Sequence, residues 1–312
     1  MPDPQVPDRR VPVPEGDSVY RLAHRMQFLV GREVVSTSIR VPAHAVASFD
    51  GRVAERVWPL GKHLFMRFGD DVLHTHLRME GTWSVHRLGA RWRKPGHTAR
   101  VVLVVDGAPD GGPIEVVGHD LGMVRVFPFA DYDDRVAHLG PDVLGSDWFE
   151  GGREEARRRV LADPGTAIGL ALLDQRRLAG VGNEYRAEVC FLCGVHPATP
   201  VGDVDVDRIL DVTRRVMWAN RLSPVRVITG DKRPGRTSFV FGRNRRPCRR
   251  CGTSIRKGTL TGAGAATLRS HAYCATVVAA RSEVPIGAVH RGACARDYAR
   301  LKRVPGDRDG DW

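Results

Sequence analysis

Two cysteine pairs, Cys190/Cys193 and Cys248/Cys251, stand at Cys-x2-Cys spacing. In a reducing compartment that spacing points to metal or redox chemistry rather than to structural disulfides. The second pair lies among Arg243, Arg245, Arg246, Arg249 and Arg250. Guanidinium groups are planar and always charged, so they pair well with phosphate oxygens. Cys190 and Cys193 follow on a helical face and read as buried thiols. Other candidates say little alone. Pro14-Glu15-Gly16-Asp17 is a turn ahead of a helix, Gly61-Lys62 a strand turn with a solvated lysine, and His74 and His76 a surface or metal curiosity. Met79, by itself, reads as a core methionine. Gly180-x-Gly182 is not a dinucleotide loop, because no strand precedes it and the rest of that fingerprint is absent.

The elements that must position these residues follow from length and patterning. The 312 residues suffice for two domains with separate cores. Forty-eight Lys and Arg against 36 Asp and Glu give a formal charge of +12, so an acidic polymer is the natural partner. No stretch approaches the roughly 20 apolar residues of a membrane span, and the first residues lack the apolar segment of a secretory signal. The expectation is a cytoplasmic, nucleoid-associated monomer.

Residues 1–13 hold four prolines and no apolar period, and read as a disordered extension. Val19, Leu22, Ala23, Met26, Leu29 and Val30 recur at helical spacing, predicting a helix between Asp17 and Val30 with Gly16-Asp17 at its cap. Short β-branched runs at 53–57, 63–68, 72–77, 99–105, 114–117 and 123–127 predict an antiparallel β-sandwich over 14–130. After the acidic connection at 131–134 the pattern turns helical, at 153–162, 167–178, 183–191 and 206–219, within a second domain over 131–236. Residues 237–280, with a β-prone run at Ser238–Phe241, read as a small metal-stapled hairpin. No fold is assigned to 281–312.

Taken together, several segments resemble the formamidopyrimidine-DNA glycosylase/endonuclease VIII family, over about Pro14 to Cys274. Pro14-Glu15-Gly16-Asp17 is similar to the family N-terminus, where the initiator Met is removed and proline becomes the first residue. Pro59-Leu60-Gly61-Lys62-His63 resembles a hairpin whose lysine reaches the phosphate beside the lesion. His76-Leu77-Arg78-Met79-Glu80-Gly81 resembles the loop that fills the hole left by an extruded nucleotide, with Met79 as wedge and Arg78 meeting the orphaned base. Leu173 to Glu188 resembles the helix-two-turn-helix, in which helix N-terminal donors and the Asn183 amide hold a phosphate. Phe241-Gly242-Arg243 and Cys248-x2-Cys251 resemble a zinc finger. That likeness places Arg269 at the phosphate-clasping arginine and Cys274 at the third ligand, while Val277 stands where a fourth cysteine belongs. His271, by a register shift, is the fourth ligand for Zn2+, with Cys294 a more distant candidate. A degenerate finger, or a frame error near the C-terminus, are the alternatives.

The resemblance implies an α+β fold and a bifunctional DNA glycosylase/AP lyase acting on double-stranded DNA with oxidised or abasic lesions. A free proline amine, with α-amino basicity near pKa 8, attacks the sugar carbon, expels the base and becomes a cationic imine, while Glu15 shuttles protons. Within the present chain the Pro14 nitrogen is a tertiary amide and cannot do this. The true start is therefore expected at position 13, with Val13 read as initiator Met and then removed, and proteolytic exposure of Pro14 ranks second. His119-Asp120-Leu121-Gly122 lacks the Arg-Arg-Phe-Gly by which the oxidised-purine branch contacts cytosine, which favours oxidised pyrimidines. A catalytically inactive damaged-DNA-binding homologue and an oxidised-purine glycosylase are the rivals, with a basic zinc-ribbon adaptor ranked last.

Overall fold

The computed structural model describes residues 13–107, 111–261 and 268–274. Expectations for residues 1–12 and beyond 274, Val277 and Cys294 included, lie outside the described residues.

Helix α1 (Gly16–Arg25) begins the described fold and ends sooner than the apolar period predicts; a single 3-10 turn, Gln27–Leu29, completes that stretch. The period is satisfied either way, because Val19, Ala23, Met26 and Leu29 all enter the core. Eight strands follow: β1 (Val34–Ile39), β2 (Ala54–Leu60), β3 (His63–Phe68), β4 (Asp71–His76), β5 (Thr82–Arg87), β6 (Ala99–Val105), β7 (Ile114–His119) and β8 (Met123–Pro128). They form two antiparallel sheets, ordered β1-β6-β7-β5 and β2-β3-β4-β8. Val34, Val101, Leu103 and Val116 from one sheet meet Val57, Leu64, Met66 and Leu73 from the other, with α1 closing the end of the core. Each such side chain, fully buried, contributes roughly 1.5–3 kcal/mol relative to exposure. The sandwich is therefore present, with β1 and β5 added to the six runs legible in sequence.

A short helix, α2 (Tyr132–Val136), occupies the acidic connection. Then come α3 (Gly152–Leu161), α4 (Ile168–Ala171), α5 (Asn183–Cys193) and α6 (Val206–Asn220). The helix expected over 167–178 is corrected to the single turn α4 followed by a chain of turns. Asp174 stops it: its carboxylate accepts from the Arg176 backbone N–H, and the Gln175 carbonyl leaves the helix pattern to accept from Gly140 N–H. Cys190 and Cys193 are buried on α5, as expected of thiols in a core.

A two-stranded hairpin, β9 (Arg256–Thr261) and β10 (Leu268–Tyr273), closes the described chain. The strand expected at Ser238–Phe241 is absent, and its backbone is used differently. The N–H groups of Phe239, Val240 and Phe241 all donate to the Glu188 carboxylate at 2.8–2.9 Å. Ile255, Cys248 and Cys274 join the helical core, so the hairpin packs on the helices.

Candidate active site and nucleic-acid interface

Pro14 is half-buried and Glu15 is 1% exposed, in extended conformation ahead of α1. The Glu15 side chain reaches across to the N-terminus of α5. Its Oε2 accepts from Gly182 N–H at 2.7 Å and from Tyr185 N–H at 3.4 Å, and its Oε1 accepts from Glu184 N–H at 2.8 Å. These are donors that the first turn of a helix cannot satisfy internally. The anion held by this helix end is therefore Glu15, which corrects the expectation that the backbone donors serve a phosphate. Asn183, exposed in the first turn of α5, remains on the surface with its amide.

Glycines permit the approach. A Cβ on Gly182 would fall 2.4 Å from Glu15 Cδ, and one on Gly16 2.9 Å from Gly180 Cα. Gly16 N–H also donates to the Gly180 carbonyl at 2.9 Å. The Gly61-Lys62 turn between β2 and β3 arrives at the same place: a Cβ on Gly61 would sit 2.8 Å from Ala179 Cβ and 3.1 Å from Gly180 N. Gly61 has φ +56, a conformation glycine adopts without cost, and its N–H donates to the buried Asp142 at 2.8 Å. Thus Pro14, Glu15 and the Lys62 turn converge on one glycine-rich loop between α4 and α5.

A buried ion network lies behind this point. Arg226 donates to Asp17 Oδ1 at 2.5 Å and Oδ2 at 2.9 Å, and to Glu184 Oε2 at 2.7 Å, and lies 4.0 Å from Glu15 Oε1. The Tyr185 hydroxyl donates to Asp17 at 3.0 Å. Burial raises the Glu184 pKa, and Arg226 partly offsets it. Burial opposes the Arg226 charge, but Asp17, Glu15 and Glu184 outweigh it and raise its pKa. Nothing local to Pro224-Val225-Arg226 signals this role, since the partners are up to 209 residues distant.

His74 is buried rather than at the surface, which corrects that reading: it stacks on Phe65 at 4.2 Å and bonds His63 across the sheet at 2.8 Å. Burial first, then neighbouring His76, His138, Lys62 and Arg125, lowers the His63 pKa to about 3. His74 falls to about 3 and His76 to about 4, again mainly through burial. All three rings are neutral near pH 7, leaving Lys62 as the cation of this turn. His76 Nδ1 accepts from Arg78 N–H at 2.9 Å, so its proton sits on Nε2. Beyond it, Arg78, Met79 and Glu80 are exposed, Met79 by 64%. An apolar side chain held out in water at a loop tip is not a core methionine, which corrects that reading of Met79.

Cys248, Cys251 and Cys274 bring their sulfurs within 4.8 Å of one another. Thiolates about 2.3 Å from a tetrahedral zinc would lie about 3.8 Å apart, so the set fits three corners of such a site. Arg250 N–H points at Cys248 Sγ, 3.4 Å away. Burial pushes the Cys251 thiol up, but hydrogen bonds with Thr253, Cys274 and Cys248 bring it to about 7. Arg269 and His271 occupy β10, paired with Leu260 and Gly258; their side chains lie outside what is described.

Comparison with known proteins adds to this geometry. The formamidopyrimidine-DNA glycosylase N-terminal domain matches residues 13–117, and the formamidopyrimidine-DNA glycosylase H2TH domain matches residues 139–222. The chain is 44% identical over 250 residues to a probable endonuclease 8 2 of Streptomyces coelicolor, covering 78% of this chain and 87% of that protein. It is 41% identical over 245 residues to the DNA-(apurinic or apyrimidinic site) lyase Nei2 of Mycolicibacterium smegmatis, covering 78% and 92%. A structure of MutM in complex with DNA containing carbocyclic 8-oxo-G superposes with TM-score 0.68 at 21% identity, over 85% of this chain and 99% of that one. A Lactococcus lactis formamidopyrimidine-DNA glycosylase bound non-covalently to abasic-site DNA gives 0.66 at 20%, with the same coverage. At that identity the likeness is one of fold.

Proposed function

Since the chain belongs to the formamidopyrimidine-DNA glycosylase/endonuclease VIII family, we propose that its active form carries Pro14 as the amino terminus and uses that amine on damaged DNA. The chain is a DNA glycosylase and AP lyase of base excision repair. The observation that carries the mechanism is the buried Glu15 carboxylate, fixed beside Pro14 by the N–H groups of Gly182, Glu184 and Tyr185 at the start of α5, where the Lys62 turn docks.

Met79 enters the stack while the damaged nucleotide swings out, which recovers part of the few kcal/mol that extrusion costs. Arg78 meets the base left behind and Glu80 lies beside them in the same loop. Lys62, Asn183 and Arg269 hold phosphates around the extruded sugar. The neutral Pro14 amine forms a bond to the anomeric carbon as the bond to the base breaks, and the base departs with a proton. Loss of the ring oxygen from that carbon, with proton transfer through Glu15, gives the cationic imine. Removal of the acidified 2′ hydrogen expels the 3′ phosphate and cuts the strand. Water then releases the sugar fragment and restores the amine.

Oxidised pyrimidines are the favoured bases, and the protein acts as a monomer on nucleoid DNA in the cytoplasm. Among the described residues no helix is long and apolar enough to cross a membrane. Cys248, Cys251 and Cys274, with His271 three residues before Cys274 as the fourth ligand, hold a structural zinc that keeps the β9–β10 hairpin, and so Arg269, in place. The test is strand cleavage at an abasic site by protein starting at Pro14 and by the 312-residue chain. Nicking by the Pro14 form alone is expected; a folded Pro14 form that binds this DNA without nicking it contradicts the reading.

A further inference from the structure

The loop 77–81 is fastened to the rest of the sandwich by a residue that the function above does not use. Lys94 Nζ donates to the Glu80 carbonyl at 3.1 Å and to the Asp120 carboxylate at 2.8 Å. It thereby joins the loop carrying Arg78 and Met79 to the turn between β7 and β8.

Both joined segments have left-handed backbone at a non-glycine residue. Arg78 and Asp120 each have φ +51, and Arg245 is the only other such case among the described residues. Asp tolerates this region through its short polar side chain, whereas Arg gains nothing there. Such conformations persist when the surroundings over-determine them. Here the Arg78 side chain lies across Gly122, where a Cβ would fall 2.4 Å from its Cγ and Cδ. Gly122 N–H donates to the His76 carbonyl at 3.0 Å, and Asp120 N–H to the Thr98 carbonyl at 2.9 Å. The hydrogen bond from Lys94 leads the effects that hold the Asp120 carboxyl below its ordinary pKa.

Lys94 itself is anchored. Its neighbour Trp92 packs on Ala99, Val102 and Val117 of the sheet, donates to Glu115 at 3.1 Å, and lies under Arg40 at 5.5 Å. The bridge thus connects the exposed loop to the outer face of the sheet.

We propose that Lys94 is a positioning residue for lesion recognition, a buckle through Glu80 and Asp120 that holds Arg78 and Met79 in the stack-entering conformation. This rests on the wedge role given to Met79 above. A wedge must resist the base stack as it enters, so pre-organisation of its loop matters for duplex DNA and not for a single strand, where no stack has to be opened.

The experiment uses protein beginning at Pro14 in four forms: parent, Lys94→Met, Lys94→Arg and Asp120→Asn, the last keeping a residue that accepts left-handed backbone. The first probe is a duplex with a tetrahydrofuran abasic analogue beside 2-aminopurine, whose fluorescence rises on unstacking. At saturating protein, Lys94→Met and Asp120→Asn should lose most of the rise seen with parent, and Lys94→Arg should keep it. Single-stranded tetrahydrofuran DNA should bind all four alike, with thermal midpoints unchanged. Excision of thymine glycol from a duplex should fall about tenfold in kcat at similar KM, with nicking of single-stranded abasic DNA unaltered. An unchanged fluorescence rise in Lys94→Met overturns the proposal, as does equal loss on both DNA forms with a lowered midpoint. A parent that unstacks the duplex but excises nothing would instead contradict the enzymatic reading and leave the fluorescence comparison decisive for Lys94.

Discussion

Replacing Arg226 by methionine should be among the most damaging single changes outside the reacting groups. The guanidinium side chain is 3% exposed and its partners Asp17, Glu184 and Glu15 are 6%, 8% and 2% exposed. Removing it leaves carboxylates buried without their counter-charge, which costs about 3–5 kcal/mol when one partner of a buried pair is lost. At 2–4 °C per kcal/mol for a chain of this size, the melting temperature should fall by about 6–20 °C. The deficit should also depend on pH. Glu184 is already raised by burial, and the variant removes the Arg226 contribution that pulls it down. A carboxyl that binds its proton more tightly in the folded state contributes stability below its unfolded pKa, and that stability is lost as pH rises through the folded value. The gap between variant and parent should therefore narrow on acidification. Calorimetric melts of both proteins from pH 4 to 8 provide the assay. A drop under about 2 °C, or a gap that does not change with pH, would refute the argument.

Three further changes probe separate parts of the site. Burial raises Glu188 to about 7 against the opposing hydrogen bonds from Phe241, Val240 and Phe239. Its contribution to stability should thus be complete below about 4.5 and decline by roughly 3 kcal/mol as pH rises to about 7, at 1.36 kcal/mol per unit; denaturant melts of parent and Glu188→Gln across that window should differ in slope. Gly182→Ala would place a Cβ 2.4 Å from Glu15 Cδ, so Glu15 must shift and kcat for abasic-site cleavage should fall about 100-fold, whereas Kd for the same DNA changes little. Chelation should remove one zinc per chain and weaken DNA binding, and Cys274→Ser should purify with less zinc; full zinc content in a Cys274→Ser, His271→Ala double variant would exclude the assigned ligand set.

Much of the sandwich was legible because the runs His63–Phe68 and Ala99–Val105 are β-rich and bounded by turns, and their observed limits are those read from sequence. Strands β1 and β5 escaped notice because their exposed faces break the apolar run: only Val34 and Ile39 of β1 are buried, and no residue of β5 is. The helix over 167–178 failed because Asp174 and Gln175 divert the backbone into turns, a tertiary arrangement that involves Gly140. Ser238–Phe241 misled for a similar reason, since its β-branched and aromatic residues present three N–H groups to Glu188 instead of to a strand. At the site, Glu15, Gly61, Lys62 and Gly182 were recognisable as motif residues. Arg226 and Lys94 were not, because each works through partners brought near only by folding.

The most direct test of the central claim is borohydride reduction of the protein on abasic-site DNA, followed by mass spectrometry of the cross-linked peptide. A stable adduct is expected with the form beginning at Pro14, carried on that residue's nitrogen, and none with the 312-residue chain. An adduct on a lysine, or an equal yield from the full chain, would contradict the claim.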